Sequence, residues 1–311
     1  MSFRRFSAVL VAVFLMLPLV SCKPKADTQG EQGDVAGRKT VRVGFMICNG
    51  RDETEARFRP LCAYLSNKLG MKFEAVTIDT IDFEQAVKEK KLDFTHTNSL
   101  LYVILNKNYG VEILAGDVNG KYGNRSRGGV IVPKESPIKT FADLKGKKMV
   151  FGPMLAPTGF LSPYYLLLKN GINPDTDLAS YSIPKGSYKH EKVIYELLYG
   201  PYDAAGVPML DFEQMSKSGR IDPDEFRVLG EAEPTPYCSF GDCENVDPAL
   251  ARKVKDAILS IKPSDTVEYD GETLKVLKAA LVEGFADVKD SDYDIVREMA
   301  KTCNMPPYQK F

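Results

Sequence analysis

Absences bound this sequence before anything in it is read. Tryptophan does not occur, and histidine occurs only as His96 and His190. None of GxSxG, GxxxxGK[ST], HExxH or GxGxxG is present, so the usual marks of serine hydrolases, P-loop proteins, zinc proteases and dinucleotide-binding folds are missing. There is no CxxC pair, which leaves two imidazoles and scattered thiols as poor material for a metal centre. Neither charge sign dominates: 41 Lys and Arg stand against 42 Asp and Glu, for a formal net charge of −1. No broad basic face for nucleic acid is implied. Beyond Ser21 no apolar run is long enough to span a bilayer. The expectation is a protein that is not an enzyme and that carries no catalytic residue, no cofactor and no metal.

What is there begins with an export signal. Phe3-Arg4-Arg5 gives a short positive region, and SAVLVAVFLMLPLV supplies an apolar run that ends at Val20 and is interrupted by Pro18. That run is short for a stable transmembrane helix. Leu19-Val20-Ser21-Cys22 resembles the lipobox of bacterial lipoproteins, which implies a signal peptide over residues 1–21 and lipid on Cys22. An ordinary secretory signal with an unrelated cysteine is the alternative. Residues 22–39, KPKADTQGEQGDVAGRK and its neighbours, are too polar to bury a core and read as a tether. The expected location is extracytoplasmic, periplasm or outer cell surface, with the membrane held through Cys22.

The remaining chain suits one large or two medium domains. At 44% hydrophobic and 27% charged it has a globular composition. Five cysteines remain in it: Cys48, Cys62, Cys238, Cys243 and Cys303. In an oxidising compartment some should pair, and Cys238 with Cys243, close together in PYCSFGDCENVDP, is the default disulfide.

From Val41 strands and helices alternate. VRVGFMI, MKFEAVTI, LDFTHT and VEILAGDV read as strands, and ETEARFRPLCAYLSNKLG, FEQAVKEKK and SLLYVILNKN as helices. After GKYGNRSRGG the alternation resumes through VIVP, KKMVFG, ASYSIP, YDAAGVP and FRVLG. The end reads as helices with few strands: DPALARKVKDAILSI, LKVLKAALVEGF and YDIVREMAKTC. This is an α/β protein with mainly parallel sheets, helices on both faces, and two lobes. Such lobes place ligand sites at the carboxyl ends of their strands.

Residues 151–172, FGPMLAPTGFLSPYYLLLKNGI, set Gly152, Pro153, Pro157, Thr158 and Gly159 before an apolar helix. Pro and small polar residues commonly open helices, so punctuation is one reading. An anion site is the other, because exposed N–H groups at a helix start hold oxyanions.

Three stretches in order carry a family resemblance: KKLDFTHTNSLLYVI, ADLKGKKMVFGPMLAPTGFLSPYYLLLKNGINP and KGSYKHEKVIYELLYGPYDAAGV. Together they resemble the substrate-binding proteins of phosphate, phosphite and phosphonate ABC transporters. The resemblance implies a type II periplasmic-binding-protein fold whose lobes close on a small oxyanion. On that reading residues 40–123 plus 231–311 form lobe I and residues 124–230 form lobe II. Pro157, Thr158 and Gly159 lie at the cleft, and His190 matches a ligand-contacting histidine. The chain departs from the family where Ala156-Pro157-Thr158-Gly159-Phe160 stands for a Ser-Thr-Ser-Gly-Tyr run. It departs again where Thr97-Asn98 replaces an aromatic and where Phe83 replaces a Tyr. Candidate substitutes are Thr97, Asn98, Ser99, Tyr237 and Cys238, with His96, Tyr122, Arg125 and Arg127 as further possibilities. A free Cys238 would favour arsenite or a soft metal ion. The expected partners are a small oxyanion and an ABC permease, or a membrane sensor protein in place of the permease. The expected state is a monomer.

Overall fold

The computed structural model describes residues 40–310 apart from Ser187. The signal at residues 1–21, Cys22 and the tether at residues 22–39 lie outside the described residues. Among the described residues no helix is long and apolar enough to cross a membrane.

β1 (Val41–Met46) is buried everywhere except Arg42, as an apolar strand covered on both faces should be. α1 (Arg51–Leu69) follows and stops at Gly70, whose φ of 63° is the left-handed turn that glycine takes at little cost. β2 (Phe73–Ile78), α2 (Phe83–Lys88), β3 (Phe94–Thr97), α3 (Ser99–Tyr109) and β4 (Glu112–Val118) continue the alternation. The short β5 (Arg125–Ser126) then leads to β6 (Gly128–Pro133) and β7 (Lys148–Val150). A π-helical turn over Pro157–Leu161 opens α4 (Ser162–Lys169), followed by α5 (Pro174–Asp177) and β8 (Ser180–Ser182). Next come α6 (His190–Tyr199), β9 (Ala204–Pro208), α7 (Met209–Lys217) and β10 (Phe226–Glu231). β11 (Thr235–Pro236) precedes β12 (Ser239–Asp242), α8 (Pro248–Leu259) and the hairpin β13 (Thr266–Tyr269) and β14 (Glu272–Lys275). α9 (Val276–Ala280), β15 (Gly284–Asp287) and α10 (Asp294–Thr302) complete the chain.

The strands form a six-stranded sheet in the order β15-β4-β12-β3-β1-β2 and a five-stranded sheet in the order β10-β6-β9-β7-β8. The chain passes from the first sheet to the second through β5 and returns through β11, and these two pair antiparallel as a ribbon.

The expected α/β fold holds, and each sheet carries reversed strands besides its parallel ones. β1 runs parallel to β2 and β3, and β7 parallel to β8 and β9. β12, however, lies antiparallel between β3 and β4, with β15 antiparallel on β4. β6 is antiparallel to both β9 and β10. Direction of entry explains the difference. Strands joined by helical crossovers run the same way, but β6 and β12 enter from the ribbon, at the edge where the crossover strands end. Accordingly Gly128 opens β6 opposite Pro208, the last residue of β9, and Ser239 opens β12 opposite Thr97, the last residue of β3.

The expected pairing of Cys238 with Cys243 is corrected by the extended state of β12. The stretch read as a disulfide-closed loop is β12, with Cys238 and Cys243 at its two ends, and all five described cysteines are free thiols. Five extended steps at about 3.3 Å each cover roughly 16 Å, whereas a disulfide needs Cα atoms about 4.4–6.8 Å apart. The C-terminal section also holds more strand than its sequence suggests, because LKVLKAALVEGF divides into α9 and β15.

Candidate functional site

A cavity of about 320 Å³ lies where the carboxyl ends of strands from both sheets converge. After β1 it takes Ile47, Cys48 and Asn49, and after β3 it takes Asn98. After β7 it takes residues 153–158, and in the first turn of α7, after β9, Asp211. The ribbon adds Pro236, and Tyr237 and Cys238 follow it.

On the first-sheet side the polar groups are tied into the scaffold. His96 is 4% exposed and packs among Phe45, Phe58 and Phe240, with ring centroids 5.6, 4.7 and 4.6 Å away. Its Nε2 donates to both carboxylate oxygens of the buried Asp117 at 3.1 and 3.0 Å. Arg57 donates from Nε and Nη2 to the Ala280 carbonyl at 3.1 and 3.0 Å, capping the C-terminus of α9. Thr54 Oγ1 accepts from the Cys48 amide at 3.2 Å and donates to the Gly50 carbonyl at 2.8 Å, which fixes the loop between β1 and α1. Asn98 caps α3 by accepting the Leu101 amide at 2.9 Å, as the β-region residue before a helix does. Its Nδ2 donates to the Leu155 carbonyl at 3.0 Å, a direct link from the first-sheet side to the segment after β7.

On the second-sheet side donors are left over. The amides of Phe160 and Leu161 turn back to the Ala156 carbonyl at 3.0 and 3.1 Å. The amides of Thr158 and Gly159 are at the open first turn, where a helix offers no acceptor of its own. Pro157 at the start has no N–H to lose there. The His190 ring lies against Gly159: a Cβ at that position would meet Cε1 at 3.0 Å and Nδ1 at 3.1 Å. Glycine is therefore what lets the imidazole approach the turn so closely. His190 Nδ1 is buried and has no hydrogen-bond partner among the described residues.

The half-buried Asp211 has its carboxyl pushed above the ordinary aspartate range by burial, with the nearby His190 pulling it back. Burial raises the Cys48 thiol to about 11 against the opposing pull of Arg57. It also lifts Cys238 well above its usual range, with Cys48 adding to the shift. Both thiols are thus held as neutral groups in the wall.

Of the residues singled out from sequence, His96, Asn98, Pro157, Thr158, His190, Tyr237 and Cys238 line this cavity. Gly159 backs His190 from just behind the wall. Thr97 and Ser99 are buried beside Asn98 and do not line it. The crossover candidates are also elsewhere. Tyr122 donates to Glu213 at 2.7 Å, Arg125 reaches the Pro234 carbonyl at 3.3 Å and Asp292 at 3.4 Å, and Arg127 reaches Glu231 at 3.5 Å. Each is bonded to a neighbour that does not line the cavity. Phe83, at 0% exposure, belongs to the core. Sequence reasoning missed Cys48, Arg57, Met154, Tyr188 and Asp211 as lining residues. Cys48, Met154 and Asp211 follow the carboxyl ends of β1, β7 and β9, a placement that the rule for open α/β sheets marks as ligand-facing.

Residues 43–293 match the family described as ABC transporter, phosphonate, periplasmic substrate-binding protein. Two curated relatives are informative. The tetrathionate sensor histidine kinase TtrS of Salmonella typhimurium is 28% identical over 237 residues, 71% of this chain. This chain spans only 39% of that kinase's length. The phosphate-import protein PhnD of Mycolicibacterium smegmatis is 22% identical over 275 residues, covering 84% of this chain and 85% of its own. Among solved structures, PhnD1 of Prochlorococcus marinus in complex with methylphosphonate superposes with a TM-score of 0.70 at 17% identity, over 86% of this chain and 98% of that one. That likeness establishes the two-lobed α/β fold. With the family match running from β1 to the start of α10, the chain belongs to the phosphonate-type periplasmic substrate-binding proteins of ABC transporters.

Proposed function

We propose that this chain captures a small phosphorus oxyanion, of the phosphonate, phosphite or phosphate class, in the cavity between its sheets and delivers it to an ABC permease. In this reading residues 40–123 with 231–311 act as one lobe and residues 124–230 as the other, with the β5–β11 ribbon as hinge. A bridging ligand favours the closed form. The oxyanion is held by the Thr158 and Gly159 amides, the Thr158 hydroxyl and His190, with Asn98 and Tyr237 approaching from the other side. Lipid on Cys22 keeps the protein at the membrane it serves. The observation that carries the reading is the buried, unpartnered His190 Nδ1 lying against Gly159 at an open helix start. A buried donor without a partner is costly unless a ligand satisfies it.

A second reading is favoured by the sensor-kinase relative. In it the closed form is presented to a membrane sensor. Tetrathionate is also an oxyanion, with thiol-reactive sulfur–sulfur bonds, and Cys48 and Cys238 share this cavity.

Thermal shift of the purified protein tests both against phosphate, phosphite, methylphosphonate, 2-aminoethylphosphonate, sulfate, tetrathionate and arsenite, the last with and without reductant. Ligand at a hundredfold excess over its dissociation constant adds about 2.7 kcal/mol. A clear shift with a phosphorus oxyanion is expected. A shift with tetrathionate or arsenite alone would move recognition to the thiols and contradict the first reading.

A further inference from the structure

The buried part of the cavity includes polar groups, and large apolar side chains stand where it meets water. Asn98 and Thr158 are 9% and 8% exposed, whereas Ile81, Met154 and Tyr188, which also line it, are 83%, 49% and 49% exposed. That inverts the ordinary gradient, in which large apolar side chains turn inward. The three do not belong to one loop. Ile81 follows β2 on the first-sheet side, while Met154 and Tyr188 follow β7 and precede α6 on the second. Apolar groups therefore stand at the opening from both sides, and a cluster of exposed apolar residues at a cleft marks something that covers it.

Size points the same way. A cavity of about 320 Å³ has room for roughly ten waters at about 30 Å³ each. A lone tetrahedral oxyanion has about the bulk of two or three waters and would leave most of that space unfilled. The lining also includes Met46, Ile47, Leu155 and Pro236, with Cys48 and Cys238 as neutral thiols. Asp211, near His190, and Arg57, held by the Ala280 carbonyl, are charged members of the same lining. Methionine at both depths, Met46 and Met154, suits a wall that adapts to more than one apolar shape.

We propose that the ligand is an organic anion with two parts. One compact phosphonate-like head sits at Thr158, Gly159 and His190, and an apolar body of several carbons runs outward between Ile81, Met154 and Tyr188. This rests on the oxyanion reading above and specifies the rest of the molecule. The specificity-determining residues are then the apolar rim, because the head contacts are shared by every member of a homologous series.

The test is calorimetric titration of the full chain with inorganic phosphate and with n-alkylphosphonates from methyl to hexyl. n-Alkylsulfonates of the same lengths serve as a second head group. Affinity is expected to rise about fourfold for each added methylene over the first several carbons, the value of burying one such group. In an Ile81→Ser, Met154→Ser double variant that slope should flatten, while the methyl compound keeps its affinity. Affinity that is flat or falls with chain length, with phosphate or methylphosphonate still binding, would overturn the apolar body and leave the oxyanion reading standing. An equal loss along the whole series in the double variant would mean that the rim closes on itself over a small anion, and would overturn the proposal as well. No binding by either head group at any length would overturn the oxyanion reading and this inference together.

Discussion

The two walls of the cavity differ in how their polar groups are committed. On the first-sheet side His96 is bound to Asp117, Arg57 to the end of α9, and Asn98 to the start of α3 and to Leu155. On the second-sheet side His190 Nδ1 has no hydrogen-bond partner among the described residues, and the Thr158 and Gly159 amides stand in a first turn, to which the helix offers no acceptor of its own. Similar residue types thus serve different ends. A histidine in an aromatic cage with a buried carboxylate is part of what holds the wall in place, and a histidine pressed on a glycine at an open helix turn is free to meet something else. The contrast teaches that lining a cavity is not enough to assign a residue to the ligand; what the residue is already bonded to decides.

That contrast can be broken from either side. The largest effect is expected from Asp117→Ala, which strips the buried His96 of its partner. It should cost about 2–4 kcal/mol in urea unfolding, the range for orphaning a buried charged hydrogen bond. Gly159→Ala acts on the opposite wall. Its new methyl would sit 3.0 Å from the His190 ring, so titration with methylphosphonate should show about tenfold weaker binding, or about 1.4 kcal/mol. Unfolding stability should move by less than about 1 kcal/mol. Equal stability losses in both variants would erase the distinction between the walls.

Asp242 sharpens the comparison from the far end of β12. It pairs directly across from Glu112, and burial together with that like charge raises its carboxyl to about 6. A carboxyl raised above its unfolded value favours folding at low pH, and that contribution is lost as pH climbs from about 4 through about 6. Asp242→Asn should therefore stabilise the protein at pH 7 by about 1 kcal/mol after allowance for solvent screening, a gain that disappears near pH 4. Ligand affinity should not change. The smallest effect is expected from Arg125→Ala. Its half-exposed pairing with Asp292 lies off the cavity, so affinity should stay within about twofold and stability within about 1 kcal/mol.

Much of this architecture was legible from periodicity. Apolar runs such as VRVGFM and AAGVP became buried strands, and FGPMLAPTGF became a turn opening a helix at the cavity. β12 was not legible, because SFGD is short and only half apolar. Its strand state comes from being paired on both edges by β3 and β4, a tertiary effect that overrides local propensity. The disulfide expected between Cys238 and Cys243 failed with it, since sequence proximity becomes distance once the segment is extended. Arg57 was hidden for a related reason. Within α1 it is one more charged helix residue, and only the placement of α9 gives it a carbonyl to cap and a view of the cavity. Leader, tether and lipidated Cys22 remain readings of the sequence, as they lie outside the described residues.

The most direct test of the account is paired calorimetry of the wild-type protein and His190→Ala with methylphosphonate, alongside urea unfolding of both. The account predicts that the variant binds more weakly by about 1.5–3 kcal/mol, the scale of a hydrogen bond to a charged group, while its unfolding curve is unchanged. Equal affinity in the two proteins would contradict it, because the buried ring nitrogen that lies unpartnered against Gly159 would then have no part in holding the anion.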